Sequence, residues 1–266
     1  AALEEVYLKL VRGGTMRLWK SWVIARKDFA TLRTKRYILY SLVVLPVVIS
    51  IVLPAIIWYG LASAPIPPSQ VSATISGLNE VFNAFSFLFV IVAAMVPVSI
   101  ASYSIVGEKL ERTLEPLLAT PTTDGEILMG KAIAAFVPSL IAAYAGAVIF
   151  MVLMDTATST QLGYYYFPNW TIAVILLITV PLVTILSTEF SVIISARVSD
   201  VRAAQQFGAL IILPLAGIFI ATEVTFLSLT PANLLILSAI ILIIDIFLFF
   251  LSKATFRREE ILTKWK

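Results

Sequence analysis

Six apolar stretches, at 37–61, 81–104, 132–154, 170–196, 207–221 and 232–252, dominate this chain of 266 residues. All but 207–221 reach the roughly 20 residues that an α-helix needs to cross the hydrocarbon core of a bilayer. In that core only a helix or a closed barrel satisfies its own backbone polar groups. The chain is 60% hydrophobic and 13% charged, against roughly 45–50% and 25% for an average soluble domain, so a water-soluble fold could not hide this much apolar surface. The sequence therefore reads as an all-α integral membrane protein with about six transmembrane helices over 37–252. The spans leave only short connections, so any large soluble machinery is expected from another chain.

Charge gives the orientation. Connections near 62–80, 155–169 and 222–231 contain no Lys or Arg. All nineteen basic residues fall on the other side: nine before the first span, three between spans two and three, two between spans four and five, and five at the C-terminal end. By the positive-inside rule the N- and C-termini are cytosolic. Trp58 and Tyr59, and later Tyr164, Tyr165, Tyr166 and Trp170, are placed as interfacial anchors on the opposite side.

Ahead of the first span, 16–36 reads as an amphipathic helix on the membrane surface. Leu18, Trp22, Ala25, Phe29 and Leu32 recur at helical spacing, and Arg17, Lys20, Arg26, Lys27, Arg33, Lys35 and Arg36 occupy other faces. The end 253–266 reads as a basic cytosolic tail.

The connection 105–131 combines dense charge with helix signals. Leu110, Leu114, Leu117 and Leu118 fall on one helical face, expected to pack, while Glu108, Glu111 and Glu115 share another, suited to a charged partner. Pro116 should kink or end that helix. Thr123 and Glu126 then fit a capping box that starts a second helix leading into span three.

Residues 107–131 also carry a resemblance. They read G-E-K-L-E-R-T-L-E-P-L-L-A-T-P, followed by E-I-L-M-G-K. This is similar to the G-E-K-x-x-x-T-L-E-x-L-L-x-T-P and E-I-x-x-G-K run of type-2 ATP-binding cassette (ABC) exporter permeases. Leu110 and Arg112 replace the Glu and Gly usual in that family, which favours an unbroken helix through Arg112. A weaker echo is Arg197, Arg202, Ala204, Gln205 and Gln206 between spans four and five.

The resemblance implies a permease subunit that couples ATP hydrolysis on a partner to export of an unidentified substrate across a prokaryotic cytoplasmic membrane. The coupling residues it implies are Glu108, Lys109, Glu111, Thr113, Leu114, Glu115, Leu117, Leu118, Thr120, Pro121, Glu126, Gly130 and Lys131. The implied partners are cytosolic ABC ATPase subunits, a second permease copy or paralogue forming a dimer, and membrane lipids. ATP and magnesium would bind the ATPase, with no cofactor on this chain. The family often folds a short re-entrant segment between spans five and six, so 221–231 is read as either loop or re-entrant helix, with Glu223 as an outer-gate candidate. Residues 1–15 precede Met16, and Leu3–Leu10 resembles the closing helix of an exporter-type ABC ATPase; a fused reading frame and a tag scar both fit.

Other chemistries are disfavoured. The chain has no Cys and no His, which removes thiol nucleophiles, imidazole bases and most zinc sites. No catalytic and no metal-ligating residues are assigned, and the basic residues flank membrane segments, so no nucleic-acid partner is expected. Gly125–Ala132 imitates a phosphate-binding loop, but Ala132 lacks the hydroxyl that would hold magnesium and no strand precedes it. Glu189 and Asp245 are intramembrane polar residues, each eight positions before a basic one and so roughly 12 Å deep. They support an alternative function, an ion-coupled secondary carrier needing no ATPase, or else simple helix packing.

Overall fold

The computed structural model describes residues 18–63, 71–111, 113, 116, 120, 122–223 and 229–255. Among these every regular element is helical, and six helices are long and apolar enough to cross a membrane. In chain order the helices are α1 (Leu18–Thr34), α2 (Arg36–Ser63), α3 (Val71–Ser102), α4 (Asp124–Leu162), α5 (Trp170–Arg197), α6 (Val201–Gly208), α7 (Ile212–Glu223) and α8 (Pro231–Thr255), of which α1 is not a span. A turn of 3-10 helix, Ala209–Ile211, joins α6 to α7, and the two form the fifth span. The protein is a multi-pass membrane protein.

Two helices outrun the bilayer. The apolar part of α3 continues through a π-helical turn, Tyr103–Gly107, and one further helical turn, Glu108–Leu110. The span Thr74–Leu110 has 37 residues and α4 has 39, about 55–60 Å at 1.5 Å per residue against a core of roughly 30 Å. Their surplus carries the charged residues of 105–131 to one end of the bundle, the basic end.

Packing places α3 at the centre, against α2, α4, α5 and α7, while α8 packs on α5 and α1 on α4. The outward faces of α2 and α8 remain apolar, with Val48, Ile56, Ile243 and Phe247 among their exposed side chains. Such faces suit lipid.

Ser187 Oγ on α5 donates to the Ala94 carbonyl and ties α5 to α3 within a turn of Pro97. Ahead of Pro181, the π-turn Ile175–Thr179 loosens the ladder that the ring would otherwise break.

At the aromatic end, Phe82, Phe89, Phe150 and Phe167 pack edge-on or tilted around Met154. The Asp155 carboxylate accepts from the amides of Tyr166 (2.9 Å) and Phe167 (3.1 Å) and folds the connection over this core. Gly163, at φ 75°, ends α4, a conformation that costs glycine nothing. Tyr165 and Trp170 remain exposed, as interfacial anchors require.

The capping box stands as expected: Thr123 Oγ1 accepts from the Glu126 amide (3.2 Å), and Glu126 Oε2 accepts from the Thr123 amide (2.9 Å). The α1 face that packs on the bundle is Ser21, Ile24, Ala25, Asp28 and Leu32, while Leu18 and Trp22 of the apolar stripe expected at the membrane surface stay exposed. Two expectations are corrected. The α3 extension ends at Leu110, with Glu111 as its C-cap, short of Arg112, which lies outside the described residues. Glu223 is the last residue of α7 rather than a loop residue. Its side chain, and 224–228 where the re-entrant segment was expected, lie outside the described residues.

Candidate functional site at the basic end

Where α1, α3 and α4 meet, one lysine organises a buried polar centre. Lys131 is 1% exposed, and its Nζ donates to Glu108 Oε2 (2.6 Å), to the Ser104 carbonyl (2.6 Å) and to Ser104 Oγ (3.1 Å). Asp28 Oδ2 lies 3.7 Å from the same ammonium and accepts from Ser104 Oγ at 2.6 Å. Lys27 donates to the other Glu108 oxygen at 2.6 Å. Two cations thus face two carboxylates, and each buried charge has a partner, the condition under which a low-dielectric site is tolerable.

The helices dictate this meeting. Glu108 projects inward because the π-turn at 103–107 adds a residue to the helical repeat and rotates the next turn about the axis. Leu110, expected on the packing face, is consequently 56% exposed, while Glu108, expected to face a partner, is buried. At these two positions the faces inferred from spacing are exchanged, while Glu111 stays exposed as expected. The neighbouring Lys109 Nζ donates to the Ser195 and Ala196 carbonyls (2.9 and 3.0 Å) and caps the C-terminal end of α5.

Around this centre lies a second set of contacts, exposed at the Lys35–Glu111 pair and buried at Glu126 and Gly130. Lys35 donates to Glu111 Oε1 (2.9 Å), which also accepts from Tyr103 Oη (2.7 Å). Lys20 approaches Glu126 at 3.9 Å. The Thr113 amide closes on the Glu108 carbonyl (3.0 Å), and the hydroxyls of Thr120 and Thr122 share a hydrogen bond (2.9 Å). Gly130 is pressed against α1, where a Cβ would stand 2.7 Å from the Ser21 carbonyl oxygen. Leu114, Glu115, Leu117, Leu118 and Pro121 lie outside the described residues.

Burial pushes the Asp28 carboxyl above its ordinary value, with Lys131 and Ser104 pulling it back. Hydrogen bonds from Lys35 and then Tyr103 hold Glu111 below the usual carboxylate range. A depressed acid stabilises the fold above its unfolded pKa of roughly 4.3 and loses that contribution as pH falls through the folded value. Glu111→Gln is therefore expected to cause a small melting-temperature loss at pH 7 that shrinks as acid protonates Glu111 in the wild type. A loss that stays constant on acidification would contradict the pairing.

Sequence reasoning missed Lys27, Asp28 and Ser104. The available signal was Asp28, the single acidic residue between positions 17 and 36 of an otherwise basic segment. Glu189 and Asp245 lie elsewhere, on the packed helices α5 and α8. Among the described residues no group of three or more His, Cys, Asp or Glu could hold a metal.

The centre therefore gathers Glu108, Lys109, Glu126, Gly130 and Lys131, all from the recognised run, and joins four helices through them. A comparison with curated proteins found no match. The sequence pattern of a family described as ABC-2 family transporter protein matches residues 22–261, from α1 past the end of α8. The chain belongs to that family and is a membrane permease component of an ABC transporter.

Proposed function

We propose that this chain is the transmembrane subunit of an ATP-driven exporter in the cytoplasmic membrane of a prokaryote, working as a dimer with a second copy or a paralogue. Its basic end faces the cytosol and receives ABC ATPase subunits, which bind the ATP and magnesium. The observation that carries this reading is the centre on Lys131 and Glu108. It ties the connection 105–131 to α1 and α4, while Lys109 ties it to α5. A push on that connection would reach four helices as one rigid movement, which is what transmission from a motor requires.

In this scheme Glu108, Lys109, Glu126, Gly130 and Lys131 hold the connection from within. Glu111, Thr113, Leu114, Glu115, Leu117, Leu118, Thr120 and Pro121 present it to the ATPase, and Glu223 lies towards the outer gate. The test is co-expression with an ATPase encoded in a neighbouring reading frame, followed by ATP-dependent transport in proteoliposomes. Charge reversal, Glu115→Lys, is expected to lower transport per ATP hydrolysed at least tenfold while membrane insertion stays normal. Unchanged coupling would count against docking at this connection.

The carrier reading rests on one observation, the carboxyls of Glu189 and Asp245 inside the membrane. Uptake driven by an imposed proton or sodium gradient, without ATPase, would favour it. Strict dependence on ATP and a partner would favour the exporter.

A further inference from the structure

Glu189 and Asp245 stand apart from the network at the basic end, and nothing in that network neutralises them. The hydroxyls of Thr179 and Ser238 share a hydrogen bond of 2.9 Å that fixes the register of α5 against α8. Both helices run from the aromatic end to the basic end. Glu189 is ten residues beyond Thr179 and Asp245 is seven beyond Ser238, so their backbones differ in depth by only about 5 Å. The two helices pack against each other, which places both residues at nearly one level of the same helix pair.

Asp245 is 5% exposed, and both its oxygens lack a hydrogen-bond partner, as does Oε2 of Glu189. The charged and titratable groups on the packed elements are engaged or placed elsewhere. On α3, Lys109 is held by the Ser195 and Ala196 carbonyls, about 9 Å along α5 from Glu189. On α4, Lys131 is held by Glu108 and Tyr144 Oη donates to the Leu176 carbonyl. Arg197 of α5 and Arg202 of α6 are exposed at the turn between those helices. Glu80 of α3 and Asp155 of α4 belong to the aromatic end, and Lys253 is eight residues further along α8.

A carboxylate withdrawn from water without a cation or donors is relieved by taking up a proton, and two such groups in mutual reach titrate as a pair. We infer that Glu189 and Asp245 form one proton-binding site between α5 and α8 that is occupied at neutral pH. The protonated pair tolerates burial, whereas its loss of the proton favours separation of the two helices and entry of water. This site stands whether or not the protein is driven by ATP.

Infrared titration of the full chain in lipid, comparing the wild type with Glu189→Gln, Asp245→Asn and the double variant, reads the proton directly. The expected result is a protonated-carboxyl band at pH 7 that the double variant lacks. Each single variant should lower the titration midpoint of the remaining carboxyl by about one pH unit, a tenfold change in proton affinity. Absence of that band at pH 7, or midpoints indifferent to the other substitution, would overturn the site. Should an amide variant fail to purify, carbodiimide labelling of the wild type decides: adducts on Glu189 or Asp245 at pH 7 that fade on alkalinisation support it, and none there overturns it.

Discussion

Lys131→Met is expected to destabilise the purified protein by about 3–5 kcal/mol, because removing one partner of a buried ion pair leaves the opposite charge uncompensated. Lys131 is the most enclosed charge in the network and serves two carboxylates, Glu108 at 2.6 Å and Asp28 at 3.7 Å. Without it the Ser104 carbonyl also loses its lysine donor. Denaturant titration in mixed micelles would measure the loss. Adding Glu108→Gln to the variant should recover part of it, since neutralising both members of the closest pair removes the stranded charge, with a coupling of about 1–3 kcal/mol. Strictly additive losses would show that the pair is not the unit it is taken to be.

The same variant has a pH signature. Burial already raises the Asp28 carboxyl, and Lys131 works against that rise. A raised acid costs folding stability above its unfolded pKa of about 3.9. Removing Lys131 should raise Asp28 further, so the variant's deficit grows as pH climbs through the already raised wild-type value of Asp28 and shrinks on acidification, when Asp28 takes up a proton in both. A deficit equal at pH 5 and pH 8 would argue that Asp28 does not sense Lys131.

The legible part of the sequence lay in patterns longer than the helical turn. Apolar length and the one-sided distribution of Lys and Arg depend only on composition over some twenty residues, so the six spans are legible without tertiary detail. The capping box at Thr123 and Glu126 is local chemistry and is legible for the same reason. The faces of 105–131 were not. A regular 3.6-residue repeat projects Glu108 away from the core, but the π-turn at Tyr103–Gly107 shifts the phase just before it, and a single-turn phase shift has no compositional mark. The apolar stripe of α1 was read for the membrane surface, and the face that packs on α4 was not legible beside it. Asp28 and Ser21 are polar, yet they face α4, and Asp28 is buried beside Lys131 from another helix. Partners distant in sequence are what periodicity cannot supply.

Close backbone approach is a second such property, and Gly130 tests it. Substitution of a helical glycine by alanine ordinarily gains about 0.8–1.0 kcal/mol of helix propensity. In α7 a Cβ at Gly217 would meet nothing within 4 Å, so Gly217→Ala should be neutral or stabilising. At Gly130 the added carbon would stand 2.7 Å from the Ser21 carbonyl oxygen and 2.8 Å from Ile24 Cβ. Neither atom is the end of a flexible side chain, so α1 itself must shift, and overpacking of that kind costs about 1–3 kcal/mol. Displacing α1 also draws Asp28 from Ser104 and Lys27 from Glu108, so the cost should exceed the propensity gain, and Gly130→Val should be worse. Trypsin offers the local readout. Cleavage after Arg26 and Lys27 should accelerate at least tenfold in Gly130→Val while sites beyond α4 keep their wild-type rates. Unaltered cleavage in α1 would mean that the helix is not seated on Gly130, and that the buried centre is held together by its ion pairs alone.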